Sequence, residues 1–438
     1  MNHVPDLLRI ATAGSVDDGK STLVGRLLYD TKSVLADQID AVTKASVDRG
    51  LDTPDLSLLV DGLRAEREQG ITIDVAYRYF ATPARSFVLA DTPGHVQYTR
   101  NTVSGASTAQ LVILLVDARN GVVAQTRRHA AVMALLGVPQ LVLAVNKIDL
   151  VGEGESSGAD AATVFAEISE EFRDLTRSLG WSDEQVIAIP VSALHGDNIA
   201  TRSDNTPYYD GPTLIEHLET VPNLTDRSEV GLRFPVQYVI RPRTSDFPDY
   251  RGYAGQIAAG RVAVGDEVVI LPSGVRTTIS QIDTADGQLA TAHTGRSVTL
   301  LLADDIDVSR GDVIASAADA PEPVQQFSAT VCWLAEKPLR PGARLLLKHG
   351  AKTTQAIVGG LEVLFDEQNI TQVDAPDTLE LNQIGRISIQ TAEPIPADDY
   401  QVDRESGSFL LIDPQGGNTL GAGLVGDALA ALHLNELV

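Results

Sequence analysis

The sequence predicts a multidomain chain in which an α/β domain with a mostly parallel sheet, covered by helices on both faces, precedes two β-barrel domains. In the first half, apolar runs such as 111–118 and 141–150 alternate with stretches of helical periodicity such as 161–180. Continuous apolar strands separated by helices are typical of a buried parallel sheet. Beyond about residue 231 the strands become short and are punctuated by glycine, which indicates a barrel or sandwich. The 438 residues correspond to about three domains of roughly 150 residues each.

The strands and helices of the first domain follow one another in the order that such a sheet requires. Residues 7–14 form a short apolar strand, and residues 20–30 continue with Leu23, Leu27 and Leu28 on one helical face. Ligands of parallel sheets bind at the carboxyl ends of the strands. The polar residues after each strand are therefore the candidates for a site. The other predicted strands are 86–94, 111–118, 141–150 and 186–194, and the other predicted helices are 126–137 and 161–180.

Two polar segments that contain proline divide the chain. Residues 221–231 have the composition of a linker, and a second boundary lies near Ala320. We therefore expect a nucleotide-binding domain at 1–221 and β-barrels at 231–317 and 323–438.

Composition limits the classes of function. The chain has 34 Lys and Arg against 59 Asp and Glu, a net charge of −25, which opposes nonspecific binding to nucleic acid or anionic membranes. Cys332 is the one cysteine, so no disulfide can form within the chain, and its strand-like context predicts a structural thiol. No signal-peptide pattern and no apolar run of about 18 residues is visible. We expect a cytoplasmic protein.

Residues 14–21 match the pattern G-x-x-x-x-G-K-S between a strand and a helix. The backbone N–H groups of such a loop, together with the helix N-terminus, bind phosphates. We expect Lys20 to reach the β- and γ-phosphates and Ser21 to bind Mg²⁺. Asp17 and Asp18 are unusual in a loop that binds a polyanion, and their side chains are expected to point outward. The predicted phosphate-binding residues are Gly14, Ser15, Val16, Asp17, Asp18, Gly19, Lys20, Ser21 and Thr22.

The segment "NKID", 146–149, follows another strand and predicts specificity for guanine. Guanine presents two donors, N1–H and the 2-amino group, and the Asp149 carboxylate can accept both, whereas adenine has neither. Asn146 is expected to brace the loop, and Lys147 to lie over the base. The predicted ligand is GTP. Backbone contacts to the base are expected from Ser192, Ala193 and Leu194.

A third group of residues is expected to sense the γ-phosphate. Asp91 can hold Mg²⁺, usually through water, and Gly94 can offer its N–H to the γ-phosphate. Thr72 would complete the Mg²⁺ shell from a switch segment at 47–74. His95 follows directly and is the candidate for orienting the attacking water. Four further histidines lack motif support and are expected to be ordinary surface or packing residues: His129, His195, His217 and His349.

These motifs resemble those of the translation-factor superfamily of GTPases, which includes elongation factor Tu and combines a G domain with two β-barrels. The segments 14–30 and 58–80 are more specific, because both look like the GTPase subunit of bacterial sulfate adenylyltransferase. That resemblance implies a heterodimer or larger complex with a catalytic subunit that makes adenosine 5′-phosphosulfate and pyrophosphate from ATP and sulfate. It also implies that GTP hydrolysis drives this uphill reaction, and that Val16 and Ile71 form an apolar gate beside His95.

Two alternatives remain open: a translation factor that delivers tRNA, and a GTP-dependent regulator of another assembly. Asp18, where translation factors carry histidine, and the match at 58–80 favour the sulfate adenylyltransferase family. Some members of that family carry an adenylylsulfate kinase domain at the C-terminus. No second G-x-x-x-x-G-K-[ST] pattern follows in this sequence, so no kinase activity is expected in these residues. The segment 238–257 is either a contact surface for the partner or a locally packed hairpin.

Overall fold

The chain divides into two compact units. One is formed mainly by residues 1–224, and the other by Thr225–Asp366 and Gln372–Ala430. Among the described residues, no helix is both long and apolar enough to cross a membrane. The computed structural model describes residues 7–48, 50, 53–60, 75–92, 99–152, 160–222, 230–242, 250–366, 369–430 and 432.

The first unit is built on a six-stranded sheet with the order β2-β3-β1-β4-β5-β6. β2 is antiparallel to β3, and the other neighbours are parallel, which confirms a mostly parallel sheet. Every residue of β4 and β5 is buried, as their continuous apolar composition predicts. The strands are β1 Leu7–Gly14, β2 Ala76–Ala81, β3 Ser86–Asp91, β4 Leu111–Asp117, β5 Gln140–Asn146 and β6 Val186–Pro190.

Three helices of this unit begin at a capping side chain or a glycine turn, and the first of them follows Gly19. Asp160 accepts a hydrogen bond from the Thr163 N–H (3.2 Å) before the fifth helix, and Thr213 and Glu216 form a reciprocal capping box before the sixth. The helices are α1 Lys20–Asp30, α2 Ala36–Asp48, α3 Thr99–Ala106, α4 Ala124–Leu135, α5 Ala161–Ser178 and α6 Leu214–Thr220. Short 3₁₀ turns span Leu56–Leu59, Ile148–Leu150 and Asp183–Gln185.

The first barrel of the second unit has the strand order β7-β16-β11-β12-β15-β9-β8, with β13 paired to β12, and a separate β10–β14 ribbon. Its inward-facing residues, such as Phe234, Tyr253 and Ile270, form one buried cluster. The strands are β7 Arg233–Pro235, β8 Tyr238–Ile240, β9 Gly252–Gln256, β10 Arg261–Ala263, β11 Glu267–Leu271, β12 Val275–Thr284, β13 Gly287–Leu289, β14 Thr291–His293, β15 Ser297–Leu302 and β16 Val313–Ser316.

The second barrel is closed, because the order β18-β22-β23-β17-β21-β19 returns through a pairing of β18 with β19, while β20 extends beside β19. Barrel closure leaves no free edge among these six strands. Cys332 lies buried in β17 as a free thiol. The strands are β17 Val324–Trp333, β18 Arg344–His349, β19 Lys352–Asp366, β20 Thr371–Asp374, β21 Ile384–Ile395, β22 Ser408–Ile412 and β23 Thr419–Val425.

Candidate nucleotide-binding site

The predicted site residues that the structure describes gather at one edge of the six-stranded sheet. Thr12 of β1 lies opposite Asp91 of β3, and Asp117 of β4 lies opposite Asn146 of β5. The loop between β1 and α1 begins at this same edge. The parallel register therefore brings together segments that are far apart in the sequence. Four predicted residues lie outside the described residues, so their roles stay predictions: Ile71, Thr72, Gly94 and His95.

The phosphate loop has a backbone conformation that its residues make possible. Asp17 (φ 67°) and Gly19 (φ 92°) both adopt the left-handed region, in which glycine and aspartate are the more frequent residues. The Lys20 ammonium donates hydrogen bonds to the carbonyl oxygens of Gly14 (2.8 Å) and Ser15 (2.9 Å). Burial lowers the pKa of Lys20, and the nearby carboxylates of Asp91, Asp18 and Asp17 oppose this shift. The loop thus curls around a buried ammonium group.

Asn146 links the phosphate loop to the loop that carries Ala193. Its Nδ2 donates to the Asp18 carbonyl (2.7 Å), and its Oδ1 accepts from the Ala193 N–H (2.9 Å). A side chain on Gly19 would place Cβ 2.4 Å from this amide nitrogen, so the position requires glycine. This geometry supports the expected bracing role of Asn146.

Lys147 links the base-binding loop to the phosphate loop and to the end of β4. Its ammonium donates to the Asp17 carbonyl (2.5 Å) and forms an ion pair with Asp117 (3.0 Å). Arg119 pairs with the same carboxylate at 2.6 Å. Burial alone would raise the pKa of Asp117, but hydrogen bonds from Arg119 and Lys147 lower it to about 2. Asp117 is therefore ionised at neutral pH and holds the stem of Lys147 along the edge of the site.

Asp149 has one carboxylate oxygen free to accept hydrogen bonds. Its Oδ1 is buried and has no hydrogen-bond partner within the described part of the chain. Its Oδ2 lies 3.7 Å from Nε2 of His195, whose side chain is 52% exposed, so His195 is a surface residue, as expected, that also approaches Asp149. A buried oxygen without a partner is costly unless a ligand satisfies it. The donors on the Watson–Crick edge of guanine fit this acceptor.

Hydrogen bonds from α1 hold the loop at 192–194 in place. The Arg26 guanidinium donates to the Ala193 carbonyl at 3.2 Å and also to the Leu194 carbonyl. Ser192 accepts a hydrogen bond from the His195 N–H at 3.2 Å. Leu194 remains 46% exposed, whereas Ser192 and Ala193 are buried. The loop thus presents one exposed apolar side chain, that of Leu194.

Two of the three residues expected to hold Mg²⁺, Ser21 and Asp91, lie near Lys20. The Thr12 hydroxyl donates to Asp91 Oδ1 at 2.9 Å, which fixes the carboxylate at the end of β3. Ser21 lies in the first turn of α1, directly after Lys20. A hydroxyl and a carboxylate are oxygen ligands of the kind that Mg²⁺ prefers. The described residues therefore fit a Mg²⁺ ion shared with nucleotide phosphates.

Comparison with known proteins decides the family. Residues 5–227 match the elongation factor Tu GTP binding domain, and residues 326–426 match the GTP-eEF1A C-terminal domain-like family. The chain is 47% identical over 429 residues to sulfate adenylyltransferase subunit 1 of Yersinia pseudotuberculosis serotype O:1b (strain IP 31758), which covers 98% of this chain and 87% of that protein. The chain belongs to the sulfate adenylyltransferase subunit 1 family.

Two other comparisons extend this result. The chain is 53% identical over 420 residues to the bifunctional enzyme CysN/CysC of Mycobacterium tuberculosis (strain CDC 1551 / Oshkosh), which covers 96% of this chain and 67% of that protein. The chain thus spans about two thirds of that bifunctional relative. Among solved structures, sup35 complexed with GDP has a TM-score of 0.43 at 22% identity, and the match covers 96% of this chain and 94% of that chain.

The two adjacent aspartates of the phosphate loop, Asp17 and Asp18, differ in their surroundings. Asp17 is exposed, as expected, but Asp18 is only 4% exposed, so the expectation that both point outward is wrong. Asp18 Oδ2 accepts a hydrogen bond from the Ser15 N–H at 2.6 Å. Burial raises the pKa of Asp18, although the Ser15 hydrogen bond and Lys20 oppose this shift. Asp18 therefore closes the loop from inside.

Sequence reasoning missed three residues of this family's site in the present chain. Asp117 could have been found, because an acidic residue at the end of β4 must lie beside Asn146 in a parallel sheet. Arg26 and His195 gave no comparable signal. Arg26 reaches its partners across more than 160 positions of sequence, and His195 is defined by its distance to Asp149.

Proposed function

We propose that this protein hydrolyses GTP as one subunit of a sulfate adenylyltransferase. In this proposal GTP hydrolysis drives the synthesis of adenosine 5′-phosphosulfate and pyrophosphate from ATP and sulfate on a partner catalytic subunit. The observation that carries the proposal is the 47% identity, across 98% of the chain, to a protein named sulfate adenylyltransferase subunit 1. The linked phosphate and guanine loops are consistent with it.

The guanine specificity in this proposal rests on Asp149. The carboxylate accepts hydrogen bonds from the base, and the unpartnered Oδ1 is the acceptor already in place. Lys147 is anchored at both the Asp17 carbonyl and Asp117, so its stem is pre-positioned to cover the base. Asn146 keeps the base-binding and phosphate-binding loops at a fixed separation. Preorganised groups of this kind lose little conformational freedom on binding.

The hydrolytic step uses the phosphate side of the site. Lys20 and the loop N–H groups would bind the β- and γ-phosphates, and Ser21 and Asp91 would hold the metal. Mg²⁺, when bound, neutralises charge that develops on the phosphates. His95 is proposed to orient the attacking water, with Thr72 in the switch. Val16 and Ile71 are proposed to form an apolar gate beside His95.

The partner surface is proposed to include the segment at 238–257. Tyr238 is 65% exposed on β8, which suits a contact with another protein. Tyr253 is buried, and the Tyr250 hydroxyl donates to Asp283 at 2.8 Å, so these two aromatics pack locally. Local packing thus accounts for Tyr250 and Tyr253, and the proposed contact surface is limited to exposed residues such as Tyr238.

A reconstituted complex tests the proposal. The chain is purified with the candidate catalytic subunit, and GTP hydrolysis is measured with and without ATP and sulfate. We expect stimulation by the two substrates together, and loss of hydrolysis with retained GTP binding in His95→Ala. Asp149→Asn should shift binding from guanine toward xanthine nucleotides, which separates a failed partner from a failed nucleotide site. Absence of stimulation would exclude the role in sulfate activation.

A further inference from the structure

A cavity lies between the two barrels of the second unit, and its lining includes no residue assigned to the nucleotide site. Its volume is about 380 Å³, which is within the range of small-molecule sites. The first barrel contributes Arg233, Gln237 and Arg310 to its lining, and the second contributes Lys348 and His349. None of these residues has a role in the proposed function, so the inference below is independent of that function.

Arg233 and Ser406 of the lining belong to a buried polar network. Arg233 forms a bidentate ion pair with Asp398, with Nε to Oδ2 at 2.9 Å and Nη2 to Oδ1 at 3.0 Å. The Ser406 hydroxyl donates to the same carboxylate at 2.6 Å. Arg233 and Asp398 are both buried, and a bidentate pair of this kind fixes both groups. The positive charge of Arg233 is therefore already matched by a carboxylate of the chain.

His349 adds a hydrogen-bond acceptor to the lining. Its Nε2 lies 2.6 Å from the Ser406 carbonyl, and because a carbonyl only accepts, Nε2 must carry the proton. Burial lowers the pKa of His349, so the ring is neutral at pH 7 and its Nδ1 is a lone-pair acceptor. In the described part of the chain this Nδ1 makes no hydrogen bond. A ligand hydroxyl would suit it.

Two cations from different barrels line the cavity. Arg310 lies in the loop between β15 and β16 of the first barrel, and Lys348 is in β18 of the second barrel. Neither makes an ion pair with any described residue. Glu405 also lines the cavity, so two cations face one carboxylate once Arg233 is matched. An Arg fork and a Lys point charge together are suited to phosphate or sulfate oxygens.

We propose that this cavity binds a small molecule that carries both a phosphate or sulfate group and hydroxyl groups. The anionic group contacts Arg310 and Lys348, and the hydroxyls contact His349 and Glu405. The cavity can hold a molecule about the size of a sugar phosphate or a nucleoside monophosphate. Concave walls strengthen the field of the two cations, which would allow an anion to bind even to this strongly acidic chain.

Calorimetry of the full chain, with the guanine site filled by GDP and Mg²⁺, tests the proposal at low ionic strength. The probe is ribose 5-phosphate, and inorganic phosphate, inorganic sulfate and ribose are the comparisons. We expect ribose 5-phosphate to bind with a submillimolar dissociation constant, inorganic phosphate and sulfate to bind more weakly, and ribose not to bind. Arg310→Gln with Lys348→Gln should weaken ribose 5-phosphate at least tenfold.

The matched control is Arg340→Gln with Arg344→Gln, which removes the same charge from the second barrel outside the cavity lining. This control should change the affinity less than twofold, and both double variants should keep the wild-type melting temperature. Equal weakening by the two double variants would show general surface attraction and overturn the site. No binding of ribose 5-phosphate to the wild type would also overturn it. Equal affinity for inorganic phosphate would overturn the assigned hydroxyl contacts.

Discussion

Replacing Asn146 with alanine should uncouple the phosphate loop from the base-binding loop. The substitution removes two buried hydrogen bonds, to the Asp18 carbonyl (2.7 Å) and from the Ala193 N–H (2.9 Å). Asn146 is 2% exposed, so water reaches neither abandoned group easily. A buried polar group left without a partner costs about 1–3 kcal/mol. We therefore expect the free energy of unfolding to fall by about 2–5 kcal/mol.

The same variant should bind GTP at least about tenfold more weakly, which corresponds to about 1.4 kcal/mol of binding free energy. The physical reason is that the ligand must then order two loops that the wild-type protein holds together already. Urea titration measures the stability loss, and equilibrium binding of a fluorescent GTP analogue measures the affinity. Both measurements use conditions in which the variant is folded.

Gln110→Ala is the control, because it removes a buried amide at the opposite end of the sheet. Gln110 Oε1 accepts from the Arg9 N–H at 2.8 Å, where β4 begins. This variant should lose stability but keep the wild-type affinity for GTP. If Asn146→Ala binds GTP within twofold of wild type, or if Gln110→Ala weakens GTP equally, the bracing role of Asn146 is refuted.

Two further predictions concern charged groups beside these loops. The pKa of Asp117, lowered to about 2 from 3.8, means that its charge stabilises the fold above about pH 4 and that this contribution disappears as pH falls toward 2. Asp117→Asn should therefore lower the free energy of unfolding by about 1–2 kcal/mol at pH 7, a loss that the partial exposure of Arg119 keeps small. Urea titrations measure this loss, and a difference from wild type that does not change with pH would contradict the prediction. Burial raises the pKa of Asp18, so its charge opposes folding above that raised value. Asp18→Asn should unfold at higher urea than wild type at pH 8, with an advantage that shrinks as pH falls; a constant advantage, or none, would argue against it.

Much of the fold was predictable because local patterns and burial agreed. The helix predicted at 20–30 is α1, Lys20–Asp30, since its apolar spacing matches one buried face. The strand predicted at 111–118 contains β4, and the strand predicted at 141–150 overlaps β5, which ends at Asn146; both strands are buried on both faces. β2 was not predicted. Its residues alternate between more and less exposed positions because it is the edge strand of the sheet, and that position is set by the tertiary structure.

The nucleotide site shows the same division. The motifs identified Lys20, Asn146 and Asp149, because each motif joins a residue type to a strand end. They could not show that Asp18 turns inward, because that depends on the backbone path and on the Ser15 N–H. His195 likewise joins the site only through its 3.7 Å approach to Asp149.

The sequence alone thus determined the alternation of the main strands and helices, the class of nucleotide and the family, because these depend on spacing and on residue types near one another in the chain. Tertiary structure decided which distant groups meet. The link from Arg26 to the loop at Ala193 and the cavity between the barrels both arise from packing across long separations. Such contacts depend on how whole elements pack against one another, and a local sequence pattern does not predict that packing.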